Sequence, residues 1–203
     1  VSPEEFVALA EQSGQMNRLT EWVIQKSCAQ RKAWLDKGLE IDIAINLSAY
    51  DLRAQLINTL EKSLKQYDLN TSHIILEITE SAFIDDPEQA LEILNELKGR
   101  GFKLSIDDYG TGYSSLGQLK NLPVDELKID KSFVIDMTED EEDKTIVQTI
   151  ISMAHTLGFQ TVAEGVESQK HADILKDMGC DELQGYHFSR PIPKDKPPSS
   201  VKK

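Results

Sequence analysis

Apolar residues recur at helical spacing through the first 36 positions and in short β-branched runs beyond Gly38. The first pattern predicts two helices within residues 3–36, separated near Ser13 and Gly14. Beyond Gly38, strand-like runs alternate with longer helical segments. The predicted strands are 41–48, 73–79, 102–108, 126–130, 160–166 and 182–188, and the predicted helices lie near 51–66, 87–100, 114–121, 142–157 and 168–178.

This alternation indicates parallel strands joined by helical crossovers, in either a closed barrel or an open doubly wound sheet. A barrel of eight strand-helix units needs about 250 residues. The chain has 203 residues, so a barrel would lack about two strands, and we expect those before Val1. An open six-stranded sheet would need no further strand. No glycine fingerprint of a dinucleotide-binding fold follows the first strand, which favours the barrel.

Polar side chains lie in or just after these apolar runs, and four of the runs end in an acid. The residues are Asn46, Glu77, Asp107, Asp108, Lys128, Asp130, Glu164 and Gln184. In a parallel sheet or barrel the carboxyl ends of all strands face one edge, where such folds place their sites. Any one of these acids could be a solvated strand end, Asn46 could be a helix cap, and Glu164 could belong to an ordinary turn. Their recurrence on successive strands favours a shared site.

The donor atoms of this set are carboxylate and amide oxygens, which suit Mg²⁺ or Mn²⁺ better than zinc. Asp107 and Asp108 could not face the same side of a regular strand, but at a frayed strand end both could bind neighbouring ions. Two metals about 4 Å apart would hold the attacking and leaving oxygens of a phosphodiester. Lys128 would then hold the attacking water or stabilise the developing charge. The glycine-rich turn 110–115 fits either a phosphate cradle or a helix start.

Composition narrows the class of partner and the compartment. The 22 Lys and Arg residues against 35 Asp and Glu residues give a net charge of −13, which repels long nucleic acids. The chain has no apolar run of about 18 residues and no signal-peptide core. Its two cysteines, Cys28 and Cys180, suit a reducing compartment. We therefore predict a cytoplasmic chain, although a longer parent protein could be anchored to a membrane through preceding regions.

Six motifs in order resemble the EAL domain, the bacterial phosphodiesterase module that linearises cyclic di-GMP. They are INLS (45–48), LEITES (76–81), IDDYGTGYSSL (106–116), LKID (127–130), AEGVE (163–167) and LQGYHFSRP (183–191). We predict an EAL domain over residues 1–193 and a disordered tail or linker over 194–203, which is rich in proline, serine and lysine. Tyr109 departs from the phenylalanine usual in the family. The signature Glu-Ala-Leu strand, with the arginine after it, would precede Val1.

The resemblance implies a TIM-like (β/α)8 barrel of the EAL type, with its first strand antiparallel to the rest and six of its eight strands in this chain. It also implies hydrolysis of cyclic di-GMP to linear pGpG with two divalent ions, Mg²⁺ or Mn²⁺. The implied first-metal ligands are Asn46, Glu77 and Asp107, and those of the second metal are Asp107, Asp108 and Glu164. Catalytic roles would fall to Lys128, which would contact the attacking water, and to Glu164 and Asp107.

The same resemblance assigns supporting roles and partners. Asp130, Glu167 and Gln184 would support the site, and Glu80 would anchor the loop 109–115. The family further implies a homodimer and allows fused sensory or GGDEF domains. Because the signature glutamate and arginine are absent from these residues, a second hypothesis is a cyclic di-GMP receptor or protein-interaction module without catalysis.

Overall fold

A computed structural model of the chain describes residues 3–83, 86–110 and 116–194. Its helices and strands alternate much as the sequence predicts. They are α1 (Pro3–Gln12), α2 (Met16–Leu35), β1 (Ile43–Leu47), α3 (Ala54–Tyr67), β2 (Ile74–Thr79), α4 (Pro87–Gly99), β3 (Lys103–Tyr109), α5 (Leu116–Leu119), β4 (Glu126–Ile129), α6 (Lys131–Asp136), α7 (Glu141–Leu157), β5 (Gln160–Ala163), α8 (Gln169–Asp177) and β6 (Glu182–Leu183). Short 3₁₀ turns cover Ala49–Asp51, Thr71–His73 and Glu80–Phe83.

The chain forms two compact units whose boundary falls within β3. The first unit comprises Val1–Asp107 and Gly112–Asp125, and the second comprises Asp108–Thr111 and Glu126–Lys203. The described residues contribute the six strands that the sequence predicts.

In the first unit, β1, β2 and β3 pair side by side and in parallel. Successive residues of a strand face opposite sides of the sheet. Ile45, Leu76 and Leu104 are register partners on one side and are all buried. Helix α2 packs against β1 and contributes the fully buried Ile24 and Cys28. One face of this sheet is therefore apolar core, which leaves the other for polar groups.

In the second unit, the last residues of β3 are followed in order by β4, β5 and β6. The strands β4, β5 and β6 pair in parallel, and α7 packs against β4 and β5. The core of this unit contains the fully buried Leu127, Ile129, Val147 and Ala154. The prediction of parallel strands joined by helical crossovers is thus confirmed within each unit.

Three predicted boundaries were wrong near the carboxyl ends of strands. The strand β4 ends at Ile129, because Asp130 caps α6, a helix that the sequence reading missed. The strand β5 ends at Ala163 and β6 at Leu183, so Glu164 and Gln184 both lie in the turns that follow their strands. Part of the predicted helix 114–121 and almost all of the predicted tail 194–203 lie outside the described residues. Across the described ranges, no helix combines the length and apolar character needed to cross a membrane.

Candidate active site

Three predicted ligands of the first unit lie on the same face of its sheet. Asn46 of β1 and Glu77 of β2 are register partners, and Glu77 is also the partner of Ser105 in β3. Asp107 comes two residues after Ser105 and so shares its face. The face therefore presents an amide and two carboxylates on three adjacent strands. Glu77 is 9% exposed, which means that its carboxylate is largely withdrawn from bulk water.

Asn46 is available for this role because a different residue caps the turn after β1. Ser48 is the N-cap of the turn Ala49–Asp51. Its backbone N–H and its hydroxyl both donate to Oδ2 of Asp51, at 2.9 Å each. The alternative interpretation of Asn46 as a cap is wrong, since Asn46 lies inside β1.

Asp108 adopts a left-handed backbone conformation, with φ of 54°. Such a conformation is uncommon outside glycine, although aspartate tolerates it better than most residues. It breaks the side-to-side alternation of β3 and redirects the Asp108 carboxylate. A carboxylate oxygen of Asp108 comes within 4.8 Å of one of Glu164. The expectation that two consecutive aspartates could both serve the site at an irregular strand end therefore has a backbone explanation.

Lys128, which is buried, and Glu164, which is partly exposed, form an ion pair at the carboxyl ends of β4 and β5. Lys128 is 4% exposed, and its Nζ lies 2.8 Å from Oε1 of Glu164. Ile129 and Ala163 are register partners, so Asp130 and Glu164 follow the two strands at the same level. Glu164 precedes Gly165, whose φ is 74°, so it does lie in a turn. Glu164 nonetheless contacts the Lys128 ammonium and lies near the Asp108 carboxylate.

Asp130 connects this pair to Asp108 and caps α6. Its Oδ1 accepts hydrogen bonds from the backbone N–H of Ser132, at 2.9 Å, and from the Ser132 hydroxyl. Burial acts to raise the pKa of Asp130, but the hydrogen bonds with Ser132 and with the Asp108 side chain lower it below its ordinary value. Ser132 was not among the predicted site residues, although a serine two residues after an aspartate at a strand end is a usable signal for a cap.

The remaining predicted residues have varied environments. Gln184 extends the pairing of β5 and β6, because its N–H donates to the carbonyl of Ala163 at 2.8 Å. Glu167 is exposed, and its backbone N–H donates to Nδ1 of His171 at 3.3 Å. Glu80 is buried at the start of the turn after β2. The predicted loop 109–115, which Glu80 would anchor, lies largely outside the described residues.

The donor set fits a hard divalent cation. In the second unit Asp108 lies near Glu164 and is hydrogen-bonded to Asp130, so three carboxyl groups share a small volume. Like charges this close repel one another unless a proton or a cation lies among them. Lys128 supplies one positive charge, which leaves the group net negative. Oxygen-only donors of this kind are the ligands that Mg²⁺, Mn²⁺ and Ca²⁺ prefer.

The sequence matches the EAL domain family over residues 1–191. It is 41% identical over 203 residues to the bifunctional diguanylate cyclase/cyclic di-GMP phosphodiesterase MucR of Pseudomonas aeruginosa. That match covers 99% of this chain and 30% of MucR, so the chain spans less than a third of the relative's length.

Two solved structures show the same fold. The structure named PaMucR phosphodiesterase, c-di-GMP complex, superposes with a TM-score of 0.91 at 41% identity, covering 97% of this chain and 80% of that one. Klebsiella pneumoniae BlrP1, in a calcium/cy-diGMP complex, superposes with a TM-score of 0.84 at 30% identity, covering 95% of this chain and 49% of that one.

Proposed function

Since this chain belongs to the EAL domain family, we propose that it carries the catalytic site of a phosphodiesterase that hydrolyses cyclic di-GMP to linear pGpG. The fold is the TIM-like barrel type of that family, to which the described residues contribute six strands. A relative that covers nearly the whole chain bears the name of a cyclic di-GMP phosphodiesterase. A structural neighbour at the same identity is a complex with the dinucleotide.

The observation that carries the proposal is the grouping of Lys128, Glu164 and Asp108. A merely solvated set of strand ends would leave the lysine in water, whereas Lys128 is 4% exposed and its Nζ lies 2.8 Å from Oε1 of Glu164. Burying a charged group is costly unless it is paired. A buried lysine beside acids at strand ends suits a reaction in which a water attacks a phosphodiester and negative charge develops on phosphate.

We propose the following roles for the residues of the site. Asn46, Glu77 and Asp107 would hold one divalent cation, and Asp107, Asp108 and Glu164 would hold a second. When bound, such a pair of ions supplies an activated water and charge compensation for the phosphodiester. Lys128 would orient the attacking water through its ammonium protons. Asp130, Glu167 and Gln184 would support the site, Asp130 by holding Asp108 in position. Glu80 would anchor the loop 109–115.

The same proposal extends to cofactors, partners and location. The cations would be Mg²⁺ or Mn²⁺, by the hardness of the donors. Calcium in the BlrP1 complex supports a site for hard cations in this family. We propose a homodimer in the cytoplasm, in a protein that carries a sensory or GGDEF domain elsewhere. The bifunctional name of the MucR relative supports only the additional domain. The net charge of −13 disfavours long nucleic acid as a partner.

Hydrolysis assays of variants test the assignment of the site. We expect the Asp107→Ala variant of the natural full-length protein to lose at least about 100-fold of its Mg²⁺- or Mn²⁺-dependent turnover of cyclic di-GMP. Asp173→Ala is the matched control, because Asp173 is exposed on α8 and its carboxylate accepts a hydrogen bond from Gln169 at 2.8 Å. Undiminished turnover by Asp107→Ala would refute the assignment.

A further inference from the structure

Glu164 lies in a three-residue turn, 164–166, that follows β5. Its backbone N–H donates to the carbonyl of Ile129 at 3.2 Å. Its carboxylate lies 2.8 Å from Lys128 and within 4.8 Å of Asp108. The position of this carboxylate therefore depends on how firmly the short turn is held.

The segment 184–187, which follows β6, is hydrogen-bonded to Val166, the last residue of this turn. The N–H of Val166 donates to the carbonyl of Gln184 at 3.0 Å, and the N–H of His187 donates to the carbonyl of Val166 at 2.9 Å. Val166 is fully buried. Both backbone groups of Val166 are thus bonded to the segment 184–187.

Gly185 makes this approach possible. A Cβ atom at Gly185 would lie 2.1 Å from the carbonyl oxygen of Val166 and 2.3 Å from its nitrogen. These are backbone atoms, which cannot rotate away as a flexible side chain can. Any side chain at position 185 would therefore push the segment 184–187 and the turn 164–166 apart.

The other side of the turn is equally close to α6. Gly165 has a φ of 74°, and a Cβ atom there would lie 2.7 Å from Cβ of Lys131. The turn that carries Glu164 is therefore enclosed by backbone on one side and by the first residue of α6 on the other.

We propose that Gly185 is a positioning residue for Glu164. By allowing the segment 184–187 to contact Val166 directly, it holds the Glu164 carboxylate where Lys128 and Asp108 meet it. This inference rests on the proposed function, since it assigns Glu164 to a cation site. It predicts that a side chain at position 185 weakens cation binding without any change in the ligands themselves.

Mn²⁺ binding to the natural full-length protein, measured by isothermal titration calorimetry, tests the proposal. We expect Gly185→Ala to weaken Mn²⁺ binding at least about 10-fold, because changes that misplace a ligand typically cost 10–100-fold in metal affinity. Gly179→Ala is the control. Gly179 has a φ of 83° but open space around it, so alanine there adds backbone strain without a clash. We expect this control to bind Mn²⁺ as the unaltered protein does.

A second variant covers the case in which Gly185→Ala does not fold. His187→Pro removes the N–H that donates to Val166, and its ring Cδ takes the place of that hydrogen, so it too disrupts the contact between the two segments. If either folded variant binds Mn²⁺ as tightly as the unaltered protein, the proposal is overturned. A folded variant with affinity at least 10-fold weaker supports it.

Parallel assays of cyclic di-GMP hydrolysis separate this inference from the proposed function. Mn²⁺ binding that depends on Gly185, in a protein that does not hydrolyse the dinucleotide, would uphold the inference and refute the function. Hydrolysis of the dinucleotide by a protein whose Mn²⁺ affinity is unaffected by Gly185→Ala would uphold the proposed function and overturn the role of Gly185. An unaltered protein that binds no Mn²⁺ would overturn both.

Discussion

Replacing Lys128 with methionine should destabilise the cation-free protein by about 3 kcal/mol. At 2.8 Å, two unit charges attract by roughly 6 kcal/mol at an effective dielectric constant of about 20, before the cost of desolvation. Removing one partner of a buried pair typically costs 3–5 kcal/mol, because the other charge stays buried and unpaired. The Glu164 side chain is 18% exposed, so some water reaches it and the lower end of this range applies.

Urea denaturation in the presence of EDTA measures this loss of unfolding free energy. Repeating the measurement with Mn²⁺ tests whether the loss comes from the unpaired Glu164 carboxylate. If Glu164 is a cation ligand, added Mn²⁺ should replace the missing positive charge and reduce the penalty of Lys128→Met. Lys128→Met combined with Glu164→Gln should recover part of the stability, because it removes the unpaired carboxylate.

Lys170→Met is the matched control. The Nζ of Lys170 lies 3.1 Å from Oε1 of Glu139, but both side chains of this ion pair are exposed to solvent. This control should cost less than about 1 kcal/mol. A loss below about 1 kcal/mol for Lys128→Met would show that the ion pair contributes little to stability, and a larger loss that Mn²⁺ leaves unchanged would show that Glu164 is not a cation ligand.

Two further predictions concern the stability effects of residues other than the cation ligands. Burial acts to raise the pKa of Asp181, but hydrogen bonds from His155 and Thr161 lower it below its ordinary value. The ionised Asp181 therefore stabilises the folded protein at pH values above its pKa in the unfolded chain, and this stabilisation is lost as pH falls through its pKa in the folded protein. Asp181→Asn should cost about 1–2 kcal/mol near neutral pH, and the difference between the urea midpoints of variant and unaltered protein should shrink below about pH 4; a difference independent of pH would contradict this. Gly110→Ala should cost about 1–3 kcal/mol, because Gly110 has a φ of 103° and a Cβ atom would lie 2.9 Å from Cε2 of Phe133. The control Gly158→Ala, with a φ of 85° and open space, should cost about 1 kcal/mol from strain alone, and equal losses for the two variants would argue against the Phe133 contact.

The sequence predicted the long elements well, because their signals are local. The break between α1 and α2 falls at Ser13 and Gly14, and α4 begins at Pro87 as its pattern predicts. Proline at a first helical position and aspartate before it are strong start signals. The short helix α6 was missed because the stability of a six-residue helix depends on packing more than on helix propensity. Its cap, Asp130, also follows Ile129 of β4 directly, so no turn residues mark the boundary.

The candidate site was predicted in its composition but not in its local geometry. Polar residues at strand ends can be read from the chain, since the carboxyl ends of parallel strands share one edge. The left-handed conformation of Asp108 could not be read, because aspartate at a strand end gives no signal for it. The close approach of Gly185 to Val166 arises only when β5 and β6 pair, so no spacing in the sequence reveals it.

Chromatography with mass detection can identify what the natural full-length protein makes from cyclic di-GMP. We expect linear pGpG to accumulate in the presence of Mg²⁺ or Mn²⁺, and EDTA to abolish its formation. Binding of cyclic di-GMP without formation of pGpG under these conditions would contradict the proposed phosphodiesterase activity and would identify the protein as a receptor.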